Sequence, residues 1–257
     1  MRPAARPPWG AVALAAVLAL GPARALAGGG RVEGGLICDR VLEDFSASAP
    51  GEFPRGWRTR HAHNADEARE KRIYVVETID GAPALHATYG THTITVVRAL
   101  PRWNLEEYPV LAWRWKAVRL PEGGDESDAD RNDSAASVYV AWEVGLPFRV
   151  ADLRFAWSTT LPVGRKIAKR FGRQRVIVAE GGPANDGWRD VQVDLLGEAR
   201  TLLKADAPAS PALMALTTDA DATGSSAEAF YADFRLCRRA DGRQRPRVAS
   251  DRAGEAR

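Results

Sequence analysis

The sequence predicts an all-β protein, a jelly-roll-like β-sandwich of about ten strands with one short helix. Three observations predict it. Short segments with period-2 alternation recur along the chain, and Tyr108–Lys116 (YPVLAWRWK) is the clearest of them. Clusters of Gly, Pro, Asn and Asp punctuate these segments at short intervals. Only one stretch repeats its apolar residues at helical spacing.

The strands follow in order. Val41–Phe45 (VLEDF) opens the series and runs into a turn-rich loop, Pro50-Gly51 and Pro54-Arg55-Gly56, that ends at Trp57. Residues 61–71 read as charged and irregular. Ile73–Thr78, Leu85–Tyr89 and Thr91–Ala99 alternate, with Asp80-Gly81 as the first turn between them. In the tryptophan strand, Leu111, Trp113, Trp115 and Ala117 form one face, with Arg114 and Lys116 on the other. Two tryptophans on one face of one strand bury on the order of 150–250 Å² each, so this strand is expected to nucleate the core. An acidic loop, Pro121–Ser134, separates it from Val138–Trp142 and Leu153–Trp157. A basic connection, Arg165–Arg175, leads to Val176–Val178, and Gly181-Gly182-Pro183 turns the chain into Trp188–Leu195. The helix follows, with Asp194 as N-cap and Leu195, Leu196, Ala199, Leu202 and Leu203 on its apolar stripe. Leu213–Thr218 and Ala229–Leu236 close the set.

Processing and charge set the compartment. Arg2 and Arg6 precede an apolar run, Trp9–Leu20, and Ala25-Leu26-Ala27 offers small residues at a cleavage point, so residues 1–27 read as a signal peptide. The run is shorter than the roughly 20 residues of a comfortable membrane span. Residues 28–237 are expected to form a single sandwich domain and residues 238–257 a disordered basic tail. The overall charge of +3 is carried by the two ends, which leaves residues 28–237 mildly acidic. A nucleic-acid surface needs basic residues clustered on the fold itself, so that class is set aside. A periplasmic or secreted protein with two cysteines is expected to form one disulfide, Cys38–Cys237, if the terminal strands pair; two free buried thiols are the other reading.

Three segments carry a resemblance: Leu111-Ala112-Trp113-Arg114-Trp115, FAWSTTLPVG at Phe155–Gly164, and TTDADATG at Thr217–Gly224. Together they resemble a bacterial family of exported proteins known as a domain of unknown function. The resemblance implies an envelope sandwich domain and no particular activity. Ser137 stands where that family often has an arginine before the Tyr-Val strand. The end segments VLEDF and FYADFRL also look like the paired terminal strands of carbohydrate-binding sandwiches, which implies a structural calcium ion held by acidic residues near the chain ends.

Several residues could carry chemistry. Asp219-x-Asp221-x-Thr223-Gly224 has the opening spacing of a calcium loop, and Asp44 and Asp233 are expected to join Asp219 and Asp221 around one ion. Phe230 stands where a helix–loop–helix calcium site needs its bidentate glutamate, so that class is excluded. Without an ion the same loop reads as an Asx-turn. Trp57, Trp103 and Trp188 flank turns or strand starts, where an indole can stack on a sugar, and Arg114 and Lys116 stand on the mixed sheet face. Glu143, Asp152 and Glu180 are the carboxylates available for glycoside chemistry. His61, His63, His86 and His92 accompany no nucleophile motif. The function expected is a non-catalytic module binding envelope polysaccharide. An envelope glycoside hydrolase or lyase, or a purely structural or protein-binding envelope protein, is the alternative.

Overall fold

The computed structural model describes residues 35–145, 149–184 and 187–240. The signal peptide and most of the basic tail read from the sequence lie outside them. Among the described residues thirteen strands are formed: β1 (Leu36–Glu43), β2 (Arg58–Thr59), β3 (Tyr74–Ile79), β4 (Ala82–Thr88), β5 (Val96–Ala99), β6 (Val110–Arg119) and β7 (Ala136–Glu143). Then come β8 (Val150–Ser158), β9 (Lys166–Lys169), β10 (Gln174–Gly181), β11 (Arg189–Asp194), β12 (Leu213–Thr217) and β13 (Glu228–Arg239). Two helices, α1 (Ala65–Glu70) and α2 (Leu195–Leu203), complete the set. No helix among the described residues is long and apolar enough to cross a membrane.

The strands form two sheets. One has the order β11-β6-β13-β4-β3, with β1 added beside the second half of β13. The other has the order β2-β5-β12-β7-β8-β10-β9. The all-β sandwich read from the sequence is the fold observed.

The alternation of β6 sets the core. Trp113 and Trp115 point inward and are at most 2% exposed, while Arg114 and Lys116 face outward and are partly exposed. Trp113 packs edge-on to Trp115 at 5.3 Å, stacks on Phe234 of β13 at 6.2 Å, and meets Phe155 of β8 at 5.6 Å, which ties the two sheets together. Trp115 meets Trp157 of β8 at 5.8 Å. These rings sit in edge-on and offset geometries that favour aromatic pairs beyond the area they bury.

Three departures from the sequence reading have physical causes. Residues 61–71, read as irregular, contain α1, whose turns are held by a Lys71–Glu67 i,i+4 pair at 2.9 Å and by fully buried Ala68. The basic connection contains the edge strand β9, whose Lys166 and Lys169 flank Ile167 and Ala168, one on each face, and blunt the edge with charge. The strand placed at Thr91 starts only at Val96, because Thr93 is drawn off to bond Asp219. Helix α2 is capped as read: the Asp194 carboxylate accepts from the Gly197 N–H at 3.0 Å.

Candidate functional site

The outer face of the second sheet carries polar residues at its centre. Tyr139 of β7 and Arg154 of β8 are direct cross-strand partners, as are Asp152 of β8 and Gln174 of β10. Arg154 is 4% exposed, and its guanidinium lies 5.6 Å over the Tyr139 ring. Its Nε donates to Ser137 Oγ at 3.0 Å, and its Nη2 donates to Ser134 Oγ at 2.9 Å and to the Asn132 carbonyl at 3.4 Å. Burial works against its charge. Tyr139, Glu126 and Asp219 outweigh that effect and hold it above the ordinary arginine range.

One wall is the loop of residues 121–134, clamped to the sheet from beneath. Fully buried Glu126 accepts from the hydroxyls of Ser134 and Ser158. Thr159 and Thr160 donate to the carbonyls of Pro121 and Gly124 at 3.0 and 2.9 Å. A side chain at Gly124 would place its Cβ 2.9 Å from the Asp133 carbonyl, so the loop closes this tightly only with glycine there.

The opposite wall is the turn between β9 and β10. Arg170 donates to Asp152 at 3.0 Å, and Gln174 donates to the same carboxylate at 2.6 Å. Between the walls lies a pocket of about 500 Å³, lined by Ser127, Ala129, Asn132, Tyr139, Arg154, Lys169, Arg170 and Gln174. Beside it, Arg170 and Phe171 both adopt left-handed backbone, with φ of 54° and 57°, and Phe171 is fully exposed. Such backbone costs on the order of 1 kcal/mol or more for a non-glycine residue.

Next to this pocket the structure gathers three carboxylates. Asp133, Asp219 and Asp221 each place one oxygen within 4.8 Å of the others. Asp133 is committed to the loop of the third motif, accepting from the N–H groups of Ala222 and Thr223 at 3.2 and 2.7 Å and from the Thr223 hydroxyl at 2.7 Å. Asp219 is 8% exposed; burial, with Asp221 and Asp133 beside it, pushes its pKa up to about 6 despite a hydrogen bond from Thr93. A carboxyl raised in this way favours the folded state while protonated, so its contribution is full below about pH 4 and is lost as pH rises towards 6. Asp219→Asn keeps the acceptor and removes the charge. In chelator it is expected to stabilise the protein at pH 7 by at most about 3 kcal/mol, with the difference vanishing near pH 4. Urea melts at the two pH values check this, and equal stability at pH 7 would show that the repulsion is already relieved.

The structure distributes the residues singled out from the sequence as follows. Asp44 bonds the Ser46 N–H and hydroxyl at 3.0 and 2.6 Å, and Asp233 pairs with Arg235 at 2.6 Å. Asp219 and Asp221 therefore meet Asp133 rather than Asp44 and Asp233. Trp57 and Trp103 are core residues, 6% and 7% exposed; the Trp57 indole donates to the buried Glu43 carboxylate at 2.8 Å. Arg114, Lys116 and Trp188 do converge, on the outer face of the first sheet. Arg114 lies 4.8 Å over the Trp188 ring and Lys116 lies 5.1 Å over Phe230, whose ring also stacks on His86 at 4.3 Å. His86 bridges Glu77 and Glu228 at 2.9 and 3.0 Å. The side chains on this face are engaged with one another.

Of the carboxylates considered for glycoside chemistry, Asp152 is held by Arg170 and Gln174, and Glu180 accepts from the Gly181 N–H at 3.2 Å. Glu143 is exposed at the end of β7. The sequence reading missed Tyr139, Arg154, Lys169 and Phe171. A signal was present for two of them: Phe171 is a lone aromatic in the basic run Lys169-Arg170-Phe171-Gly172-Arg173, and Arg154 is the one cation in the otherwise apolar Leu153–Trp157.

Among solved structures, the chain is similar to a family 11 carbohydrate-binding module from Clostridium thermocellum in complex with a β-1,3-1,4-mixed-linked tetrasaccharide, at 10% identity and a TM-score of 0.39, covering 77% of this chain and 94% of that one. It is also similar to a family 30 carbohydrate-binding module, at 13% identity and a TM-score of 0.37, covering 63% and 80%. A carbohydrate-binding module specific for non-crystalline cellulose matches at 12% identity and a TM-score of 0.34, covering 84% and 98%. No curated protein matches the sequence. Residues 55–235 match the model of the family described as "Protein of unknown function (DUF3047)", and the chain belongs to that family.

Proposed function

We propose that the protein is an exported, non-catalytic glycan-binding module whose ligand site is the pocket on the outer face of the second sheet. The observation that carries this is the fully exposed Phe171, held in left-handed backbone beside a polar pocket. A ring that gains nothing from burial and sits on unfavourable backbone is poorly explained by stability. A stacking surface beside hydrogen-bond donors and acceptors is what a sugar ring requires. Ser127, Asn132, Tyr139 and Gln174 supply those polar groups. The lining contains no carboxylate, whereas glycoside hydrolysis ordinarily uses two flanking the scissile bond.

The test is a glycan array run with wild type and Phe171→Gly. Wild type is expected to retain at least one polysaccharide class. The variant is expected to melt at the same temperature or higher, since glycine relieves the left-handed strain by about 1 kcal/mol, yet to bind at least about tenfold more weakly. A variant that loses stability and binding together would mark Phe171 as structural. Export to an oxidising compartment is supported by the Cys38–Cys237 disulfide. Mass spectrometry of the envelope fraction is expected to find the protein beginning at Gly28; an intact Met1 would count against export.

A further inference from the structure

We infer that the pocket recognises a carboxylate-bearing sugar, a uronate within an acidic polysaccharide, with Arg154 receiving the carboxylate and Lys169 as the second cation. This rests on the glycan-binding reading of the same site and names its ligand class. The argument is one of charge. Three cations line the pocket, and only Arg170 is neutralised there, by Asp152 at 3.0 Å. Arg154, almost fully buried, makes no carboxylate ion pair among the described residues; its acceptors are two serine hydroxyls and a backbone carbonyl. Its Nε and Nη2 are taken up by these, and Nη1 donates to no group among the described residues.

Neighbouring carboxylates bind elsewhere. Glu126 is held by Ser134 and Ser158, Asp125 by Ser127, and Asp128 by the Asp130 N–H and Arg131. Lys169 is likewise without an ion pair among the described residues, and burial together with the positive field of Arg154 pulls its pKa down. Neither cation has a carboxylate within ion-pair distance among the described residues, and a ligand carboxylate bridging Arg154 and Lys169 would supply that direct partner through strong, charge-assisted hydrogen bonds. Phosphate would satisfy the same charges. Phe171 beside the pocket is the reason to expect a sugar ring attached to the anion.

The experiment compares polygalacturonate, its fully methyl-esterified form, alginate and hyaluronan in affinity electrophoresis with the purified protein. A neutral glycan panel and inorganic phosphate as competitor complete the set. At least one acidic polymer is expected to bind, and for polygalacturonate the ester should not. Lys169→Gln, at a half-exposed position, should weaken acidic binding about tenfold or more without changing the melt. Arg154→Lys keeps the charge but loses the planar fork and should weaken it similarly. Equal retention of acid and ester, or binding of neutral polymers only, would overturn carboxylate recognition while leaving glycan binding intact. Displacement by millimolar phosphate as effective as by free galacturonate would reduce the site to a general anion site and overturn the sugar assignment. Binding to none of the polymers would remove both readings together, and a folded Lys169→Gln that binds as well as wild type would remove the role given to Lys169.

Discussion

Trp113→Ala is expected to destabilise the protein by about 3–5 kcal/mol, as truncation of a fully packed large side chain generally does. The ring meets Trp115 from its own strand, Phe234 from β13 and Phe155 from the opposite sheet. Its loss therefore opens a void in the layer between the sheets rather than at one edge of it. A loss of that size is a large part of the roughly 5–15 kcal/mol available to a typical domain. The neighbouring Arg114→Ala is the internal control. Its guanidinium is partly exposed, lies over Trp188 and stands 3.8 Å from Asp190, so about 1 kcal/mol or less is at stake. Urea melts of both variants read the contrast, and two equal losses would contradict the inward and outward faces assigned to β6.

What the sequence made legible was whatever depends on a single strand. Alternation in Val110–Arg119 shows which side chains are inside, because a strand has only two faces and tryptophans leave water at large gain. The Asp194 cap was legible because a helix start needs a local acceptor. The pocket was not legible, because it exists only where Tyr139, Arg154 and Gln174, from three adjacent strands, meet Asn132 from the acidic loop and Lys169 from the edge strand β9. Strand β8 is the clearest case. Both of its faces are buried, one by the core and one by the acidic loop, so its pattern does not separate Arg154 from a core position.

The acidic residues failed for a related reason. Asp233 lies on β13 and Asp44 just past the end of β1, two strands whose pairing was read correctly, but each carboxylate found a partner two residues away, Ser46 or Arg235. Asp133, 86 residues before Asp219 in the numbering and read only as part of the acidic loop Pro121–Ser134, is fully buried and binds the Asp219–Gly224 loop. The Ser158–Thr160 part of the second motif and the third motif thus share one role, holding the acidic loop as a wall beside the pocket: Ser158, Thr159 and Thr160 clamp its base and Thr223 its end. The first motif, with Trp113 and Trp115, supplies the core that keeps the two sheets in register behind that wall.

Removing the disulfide is expected to have the largest effect of any single change. Cys38 of β1 and Cys237 of β13 are 199 residues apart, so their bond closes nearly the whole described chain into one loop. Chain-entropy reasoning puts the stabilisation from a loop of that length at about 5 kcal/mol, acting mainly by restricting the unfolded state. The folded state has a stake as well. Among the described residues β1 pairs only with the second half of β13 and has no neighbour on its other side, so the covalent link holds an edge strand whose ladder is broken by register shifts. Cys38→Ser with Cys237→Ser is therefore expected to lower the urea midpoint steeply and to raise the slope of the transition, because an uncrosslinked chain exposes more surface on unfolding. Reduction of wild type under denaturing conditions, followed by refolding in reductant, should give the same curve as the double variant. A double variant within about 1 kcal/mol of wild type and with an unchanged slope would mean that the unfolded chain already keeps its ends together, so that the link adds little to what the terminal strands achieve by pairing alone.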